Sequence, residues 1–299
     1  MSVILGARAA RVLAQAKINL GLRVLTRETT GYHAIETLFA RLALGDEVTV
    51  RITERERTLE CRGAETGAVE RNLAWRAAVA LQAATGWPRG FAITIEKRIP
   101  VGAGLGGGSA DAGAVLRALN ALSPHPLAEE ELLRLAAPLG ADVPFLTSGA
   151  ALALAWGRGE RMLRLPALPE RSVVLVQPGF SVSTADAYAW LDADRGDVAP
   201  VARLTGVERL ASWESLASLT ENDFEAVVAA RHAGLSGIAD ALRRSGASIA
   251  RMTGSGSTVY GIFALPPAAA TIAKAVPGTV SITRTATSAA PVEMIDAHA

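Results

Sequence analysis

"PVGAGLGGGSADAG", Pro100 to Gly113, places five glycines between Gly102 and Gly108 and runs straight into apolar residues at Ala112, Val115, Leu116, Leu119 and Leu122. That recurrence is the spacing of one helix face, so the loop ends at a helix N-terminus. Glycine loses more backbone freedom on folding than any other residue, and five together carry a cost that a plain connection need not bear. A helix N-terminus leaves N–H groups unpaired and partly positive, and a loop without side chains lets phosphate oxygens reach them. The stretch therefore reads as an anion cradle. "GAGLGG", Gly102 to Gly107, satisfies the G-x-G-x-x-G dinucleotide pattern, but its flanks do not. The preceding "ITIEKRIP" is half polar and ends in proline, and Glu129 to Glu131 fall at the start of a helix. The P-loop pattern fails as well, because no lysine follows the glycines. A tight connection without a ligand is the remaining alternative, less suited to Ser109 and Asp111 at the helix start.

Working outward, "RVLAQAKINLGLRVL" alternates as a strand, with Ala16, Ile18, Leu20 and Leu22 on one face and Lys17 and Asn19 on the other, polar one. "TTGYHAIETLFARLALGDEVTVRI" predicts a turn, a strand or short helix, and a second strand after a Gly45-Asp46 turn. A helix follows Asn72, which stands at its N-cap, and stops at Gly86. "FAITIEKRIP" is a strand ended by Pro100. A helix over 128–139 stops at Gly140, Pro144 is expected to hold Val143 extended, and "GAALALAW" reads as a buried strand. The charged "GRGERMLRLPALPERS" breaks the pattern and places a domain boundary near residue 160. Beyond it come "VVLVQPG" as a new strand, helices near 184–193, 207–218, 222–231 and 235–245, and strands at "SIARMTGSGSTVYGIFA" and "TVSITRTA". Strands and helices do not alternate strictly, which argues for an α+β fold over a doubly wound sheet.

A chain of 299 residues with 50% hydrophobic and 20% charged residues can fill one large or two moderate cores. Thirty basic and twenty-nine acidic residues leave a net charge of +1, which excludes a global electrostatic footprint for nucleic acid or an anionic membrane. Any anion must be met locally. The single cysteine, Cys61, permits no internal disulfide and suits a reducing compartment, and no apolar run approaches the length that spans a bilayer. A cytoplasmic protein is expected. Only Lys17, Lys97 and Lys274 are lysines among 30 basic residues, so each retained lysine draws attention.

Two further motifs stand in order along the chain, "AQAKINLGL" at Ala14–Leu22 and "RMTGSGSTVYGIF" at Arg251–Phe263. With the glycine loop they resemble the GHMP kinases, the superfamily of galactokinase, homoserine kinase, mevalonate kinase and phosphomevalonate kinase. Within it, "AKINLGLRVLTRETTGYHAIETLF", "LGGGSADAGAVLRALN", "LGADVPF", "GRGE", "PGFSVSTADAY" and "NDFE" are similar to the branch that acts on a cytidine-diphosphate-linked methylerythritol, over residues from about 14 to 263. Two positions depart: Thr30 stands where that branch usually has aspartate before "GYH", and Ala103 replaces a loop glycine.

The resemblance implies a two-domain α+β fold, with a ribosomal-protein-like α/β domain over residues 1–160, a ferredoxin-like α+β domain over 161–299, and the active site in the cleft between. It implies transfer of phosphate from ATP, accompanied by Mg²⁺, to the 2-hydroxyl of the methylerythritol moiety, in the non-mevalonate isoprenoid pathway. The partner is a small molecule, without nucleic acid or membrane, and the protein is expected as a monomer or weak homodimer. Asp142 of "LGADVPF" becomes the base for the hydroxyl, and Lys17 the ammonium that stabilises charge developing on the alkoxide or the transferring phosphoryl. Pro100, Val101, Gly102, Ala103, Gly104, Leu105, Gly106, Gly107, Gly108, Ser109 and Ala110 become the ATP cradle, Ser109 also the Mg²⁺ contact, and Asn72 and Lys97 adenine-side contacts. Asn19, Tyr32, His33, Thr184 and Tyr188 fall on the acceptor side: Tyr32 and His33 clasp the cytosine, and Tyr188 closes the stack from the other domain. Gly254 to Gly256 would line the same cleft. A nucleotide-binding regulator that had lost catalysis is the rival from another class, and retention of both Lys17 and Asp142 argues against it.

Overall fold

Two long strands, β1 (Ala9–Arg27) and β2 (His33–Thr53), form the antiparallel ribbon on which everything else is built. The structure is a computed structural model and describes residues 9–27, 33–196 and 206–296. After β3 (Arg57–Arg62) and a 3-10 turn at Val69–Arg71 come α1 (Leu73–Thr85) and β4 (Gly90–Glu96), which lies parallel to β3 and antiparallel to β2. The glycine loop leads into α2 (Gly107–Leu122), followed by α3 (Glu129–Ala136), a 3-10 turn at Ala137–Leu139, and α4 (Val143–Thr147). The hairpin of β5 (Leu152–Gly157) and β6 (Arg161–Leu165) joins the other part of β2.

The second half consists of β7 (Ser172–Gln177), α5 (Thr184–Arg195), a 3-10 turn at Val207–Leu210, α6 (Trp213–Ala217), α7 (Asp223–Ala229) and α8 (Leu235–Arg244). It continues with β8 (Ile249–Met252), β9 (Val259–Phe263), α9 (Ala269–Ala275) and β10 (Thr279–Arg284). Its four strands lie in the order β10-β7-β9-β8, all antiparallel. Strand, helices, two strands, helix, strand, with the first and third strands central, is the ferredoxin-like arrangement expected. The closing strand β11 (Val292–Ile295) returns to the first sheet and pairs with β1.

Helix α2 is buried on nearly every side, from Ala110 through Leu116 and again at Ala118 and Leu119. Small residues make this possible: a Cβ on Gly113 would stand 2.8 Å from the Leu146 carbonyl carbon, so α4 meets α2 backbone to backbone. Leu116 and Leu119, both fully enclosed, each contribute about 1.5–3 kcal/mol of apolar burial. The same core runs on through Val173, Leu175, Ile249, Tyr260 and Ile262 of the second sheet, so the floor between the halves is packed.

Four local expectations are corrected. Lys17 and Asn19 do not lie on an open polar face but are 4% and 3% exposed, because the second sheet and the glycine loop cover that side of β1. Gly45-Asp46 is no turn: β2 passes through it, and the change shows as a register shift against Gln15 and Lys17. Val143 is helical, at the first position of α4 with Pro144 second, where a missing N–H costs no intrahelical bond. The helix expected over 207–218 is split, because Ser212 caps α6 by accepting from the Ser215 N–H. A cut at residue 160 would part β6 from β5, and β11 shows that the first sheet also draws on the end of the second half.

Candidate active site

The loop adopts its shape through glycine. Gly102, Gly104 and Gly106 take φ of +70°, +76° and +73°, the left-handed region that side chains disfavour. Gly106 caps α2 without a side chain, so no side-chain oxygen covers the first N–H groups of the helix. A cavity of about 350 Å³ opens over them, lined by Pro100 to Ser109 together with Asn72, Leu73, Lys97 and Asp111. Asn72 accepts from the Ala74 N–H at 2.9 Å through Oδ1 and donates to Thr66 Oγ1 at 3.4 Å, so it caps α1 while facing the cavity.

Lys97 is neither an exposed strand charge nor free to reach outward. Its Nζ lies 2.5 Å from Asp46 and 2.7 Å from Asp111, and its side chain is 4% exposed. Asp46 also accepts from the backbone N–H groups of Arg98 and Ile99. Two carboxylates thus share one ammonium, and Asp111, with one oxygen unpartnered, is the weaker competitor. Burial pushes the Asp111 carboxyl up to about 7 against the pull of Lys97. Burial works against the Lys97 charge too, but its two carboxylates overcome that and hold its pKa above the ordinary value.

A second cavity, of about 240 Å³, adjoins the first and shares Gly104, Gly106 and Ser109 with it. Here Lys17 Nζ stands 3.2 Å from Asp142 Oδ2 and donates to Asn19 Oδ1 at 2.7 Å. Asp142 is the more open partner, with its side chain 26% exposed. The lysine stem is held in place: its backbone N–H donates to Leu105 O, and a Cβ on Gly106 would come 3.0 Å from Lys17 Cγ and Cε. Both polar atoms of the Asn19 side chain are engaged. Its Nδ2 donates to Thr37 Oγ1 at 2.8 Å, while its Oδ1 accepts from Gly254 N at 3.0 Å and Thr253 Oγ1 at 3.2 Å as well as from Lys17. Beneath it, the enclosed Tyr260 hydroxyl donates to Asn19 O. An ammonium and a carboxylate held together at the mouth of an anion cradle can accept a proton and stabilise developing negative charge in one place.

The far wall comes from α5. Thr184, Tyr188, Asp192 and Arg195 recur at helical spacing and face the β1–β2 ribbon: Tyr188 stacks on His33 at 4.9 Å, and Asp192 Oδ1 accepts from His33 Nε2 at 2.7 Å. Arg195 donates to Val24 O, and Thr184 Oγ1 lies 3.0 Å from Ser255 Oγ. Burial, aided by the charges of Asp142 and Asp192, pushes the Tyr188 phenol up to about 12. Tyr32 lies outside the described residues. The residues that sequence reasoning missed are Asp192, Thr37 and Thr253. Asp192 was signalled by the i, i+4, i+8 spacing from Thr184.

Among the described residues no cluster of three or more histidine, cysteine, aspartate or glutamate side chains could hold a metal, and no helix is long and apolar enough to cross a membrane. Family models for the N-terminal and C-terminal domains of GHMP kinases match residues 72–158 and 204–281. A 4-diphosphocytidyl-2-C-methyl-D-erythritol kinase of Desulfotalea psychrophila is 40% identical over 254 residues, 84% of this chain and 84% of the relative. One from Moorella thermoacetica is 42% identical over 256 residues, 84% of this chain and 89% of the relative. The crystal structure of a 4-(cytidine 5'-diphospho)-2C-methyl-D-erythritol kinase superposes with a TM-score of 0.76 at 36% identity, over 92% of this chain and 98% of that one. A homoserine kinase from Cytophaga hutchinsonii, at 17% identity, shares the fold with a TM-score of 0.68 over 98% of this chain and 99% of that one.

Proposed function

The chain belongs to the 4-diphosphocytidyl-2-C-methyl-D-erythritol kinases, a family of the GHMP kinases, and on that premise we infer how its cleft works. It transfers the γ-phosphoryl of ATP to the 2-hydroxyl of 4-diphosphocytidyl-2-C-methyl-D-erythritol, a phosphotransferase step of the non-mevalonate isoprenoid pathway. The observation that carries the reading is the junction of the two cavities, where Lys17 and Asp142 stand 3.2 Å apart beside the shared Gly104, Gly106 and Ser109.

In this reading the triphosphate lies on the glycine loop, its oxygens met by the uncapped N–H groups of α2. Asp142 accepts the proton of the 2-hydroxyl as its oxygen bonds to the γ-phosphorus and the bond to the β–γ bridging oxygen breaks, releasing ADP. Lys17 stabilises the charge that passes between nucleophile and phosphoryl group. Asn19 is so heavily engaged that it serves Lys17 rather than the substrate. Tyr188 and His33 form the base-binding wall, with Asp192 orienting the imidazole. Lys97 acts on the nucleotide through the floor it holds with Asp46 and Asp111. Ser109 lines both cavities and shares the second with Asp142, one hydroxyl and one acid rather than a cage, which fits Mg²⁺ that arrives with the nucleotide and keeps most of its water. When bound, that ion neutralises phosphate charge. The enzyme works on a small molecule as a monomer or weak homodimer; a net charge of +1 offers nucleic acid and membranes no broad attraction, and a single cysteine suits the reducing cytoplasm.

The test is to incubate the protein with Mg-ATP and 4-diphosphocytidyl-2-C-methyl-D-erythritol and follow phosphorus resonance. A new phosphomonoester signal, formed in step with ADP, is expected. Its absence, or a preference for homoserine or mevalonate as acceptor, would overturn the reading.

A further inference from the structure

The "NDFE" segment heads α7; its Phe224 lines the second cavity and packs edge-on against Tyr188, and the reaction as described gives the first residue of the segment no role. Its first residue, Asn222, is 8% exposed and spends every polar atom of its side chain. Oδ1 accepts from the Phe224 N–H at 3.0 Å, which caps α7. Nδ2 donates twice, to Met252 O at 2.8 Å and Gly254 O at 2.9 Å. A cap needs only the first of these three bonds. The other two grip the strand end and loop that follow β8.

That loop leads to Lys17. Gly254 N and Thr253 Oγ1 both donate to Asn19 Oδ1, the atom that also receives the Lys17 ammonium. Thr253 Oγ1 further accepts from Asn19 N, so the loop and β1 are joined at two points. The segment that carries Asn222 is itself tied to β1: Leu22 N donates to Glu221 O at 2.8 Å, Leu22 bridges Asn222, and Val24 N donates to Asp223 Oδ2 at 2.8 Å. Asn222 thus fixes the distance between the Thr253–Gly254 corner and the strand that bears Lys17. We propose that Asn222 is a positioning residue for phosphoryl transfer, holding the Gly254 corner so that Asn19 aims Lys17 at Asp142. The proposal rests on the kinase reading above.

Two substitutions separate this role from helix capping. Asp caps a helix as well as Asn, so Asn222→Asp keeps the α7 cap but turns a carboxylate oxygen toward two carbonyl oxygens less than 3 Å away. Asn222→Ser keeps a cap and leaves both carbonyls without their donor. With kcat referred to the folded fraction from circular dichroism, N222D should lower kcat about 100-fold and N222S about 10-fold, with KM for ATP changed less than about twofold. Wild-type kcat in folded N222D would overturn the proposal. Should N222D fail to fold, folded N222S with wild-type kcat would overturn it equally. A wild-type protein that makes no phosphomonoester refutes the kinase reading, whereas active wild type with silent variants refutes only the role of Asn222.

Discussion

Gly102 and Gly104 share one backbone conformation, at φ +70° and +76°, but not one neighbourhood. A methyl group on Gly102 would meet nothing within 4 Å; on Gly104 it would stand 2.4 Å from Thr253 O and 3.1 Å from Gly256 O. Gly102→Ala therefore carries the left-handed penalty alone, about 1–2 kcal/mol. Gly104→Ala carries the same penalty and must also push back a backbone carbonyl, an overpacking cost of about 1–3 kcal/mol, for about 2–5 kcal/mol in all. In a chain of this size each kcal/mol lowers the midpoint of thermal unfolding by about 2–4 °C. Denaturant unfolding of the two variants, read with kcat, should show Gly104→Ala less stable than Gly102→Ala by the overpacking term. It should also be much slower, since the carbonyl that moves belongs to the residue whose hydroxyl braces Asn19. Equal losses of stability in the two variants would refute the reasoning, because the two glycine loops would then not be in contact in solution.

Asp142→Asn should lower kcat by about 10²–10⁴-fold while ATP still binds, measured by steady-state kinetics beside calorimetric titration with nucleotide. Asp192→Ala frees the imidazole of His33 and should raise KM for the cytidine-linked acceptor with KM for ATP unchanged; a matched rise in both would count against an orienting role. Lys97→Met leaves the carboxylates of Asp46 and Asp111 facing each other without a counter-charge and should cost about 3–5 kcal/mol in urea unfolding. The Tyr188 phenol is pushed up from 10.0 to about 12, so between those values the unfolded chain gives up its proton first. The unfolded state then binds fewer protons, and stability falls as pH rises from 10 toward 12. Tyr188→Phe should flatten that slope, and an unchanged slope would mean the phenol is not shielded.

What the sequence made legible was local. The glycine loop, the start of α2 and the Asn72 cap follow from neighbours within a few positions, where backbone preference and short-range bonds decide the outcome. In the second half β7 to β10 and helices α5, α7 and α8 were legible for the same reason, whereas α9 and β11 were not. The burial of Lys17 on its polar face was not legible, because alternation along one strand reports which side chains share a side, not whether a second layer covers it; Tyr260 and the Thr253 loop, more than 230 positions away, do so. The partners of Lys97 lie 51 and 14 residues off, beyond any local pattern. Val143 shows a local rule overruled: the bias against helix before proline gave way because Pro144 falls in the first turn of α4, with Val143 N bonded to Gly140 O.

Strand β11 changes how the molecule must be made. One edge of β1, the strand that bears Lys17, pairs over Ala9–Val12 with Val292–Ile295. During synthesis the glycine loop, α2 and most of the first sheet leave the ribosome long before those residues exist. Until they do, β1 offers an open row of backbone donors and acceptors to any passing strand. The order of translation therefore leaves β1 waiting on β11, and a polypeptide stalled before Val292 would carry Lys17 on an adhesive edge.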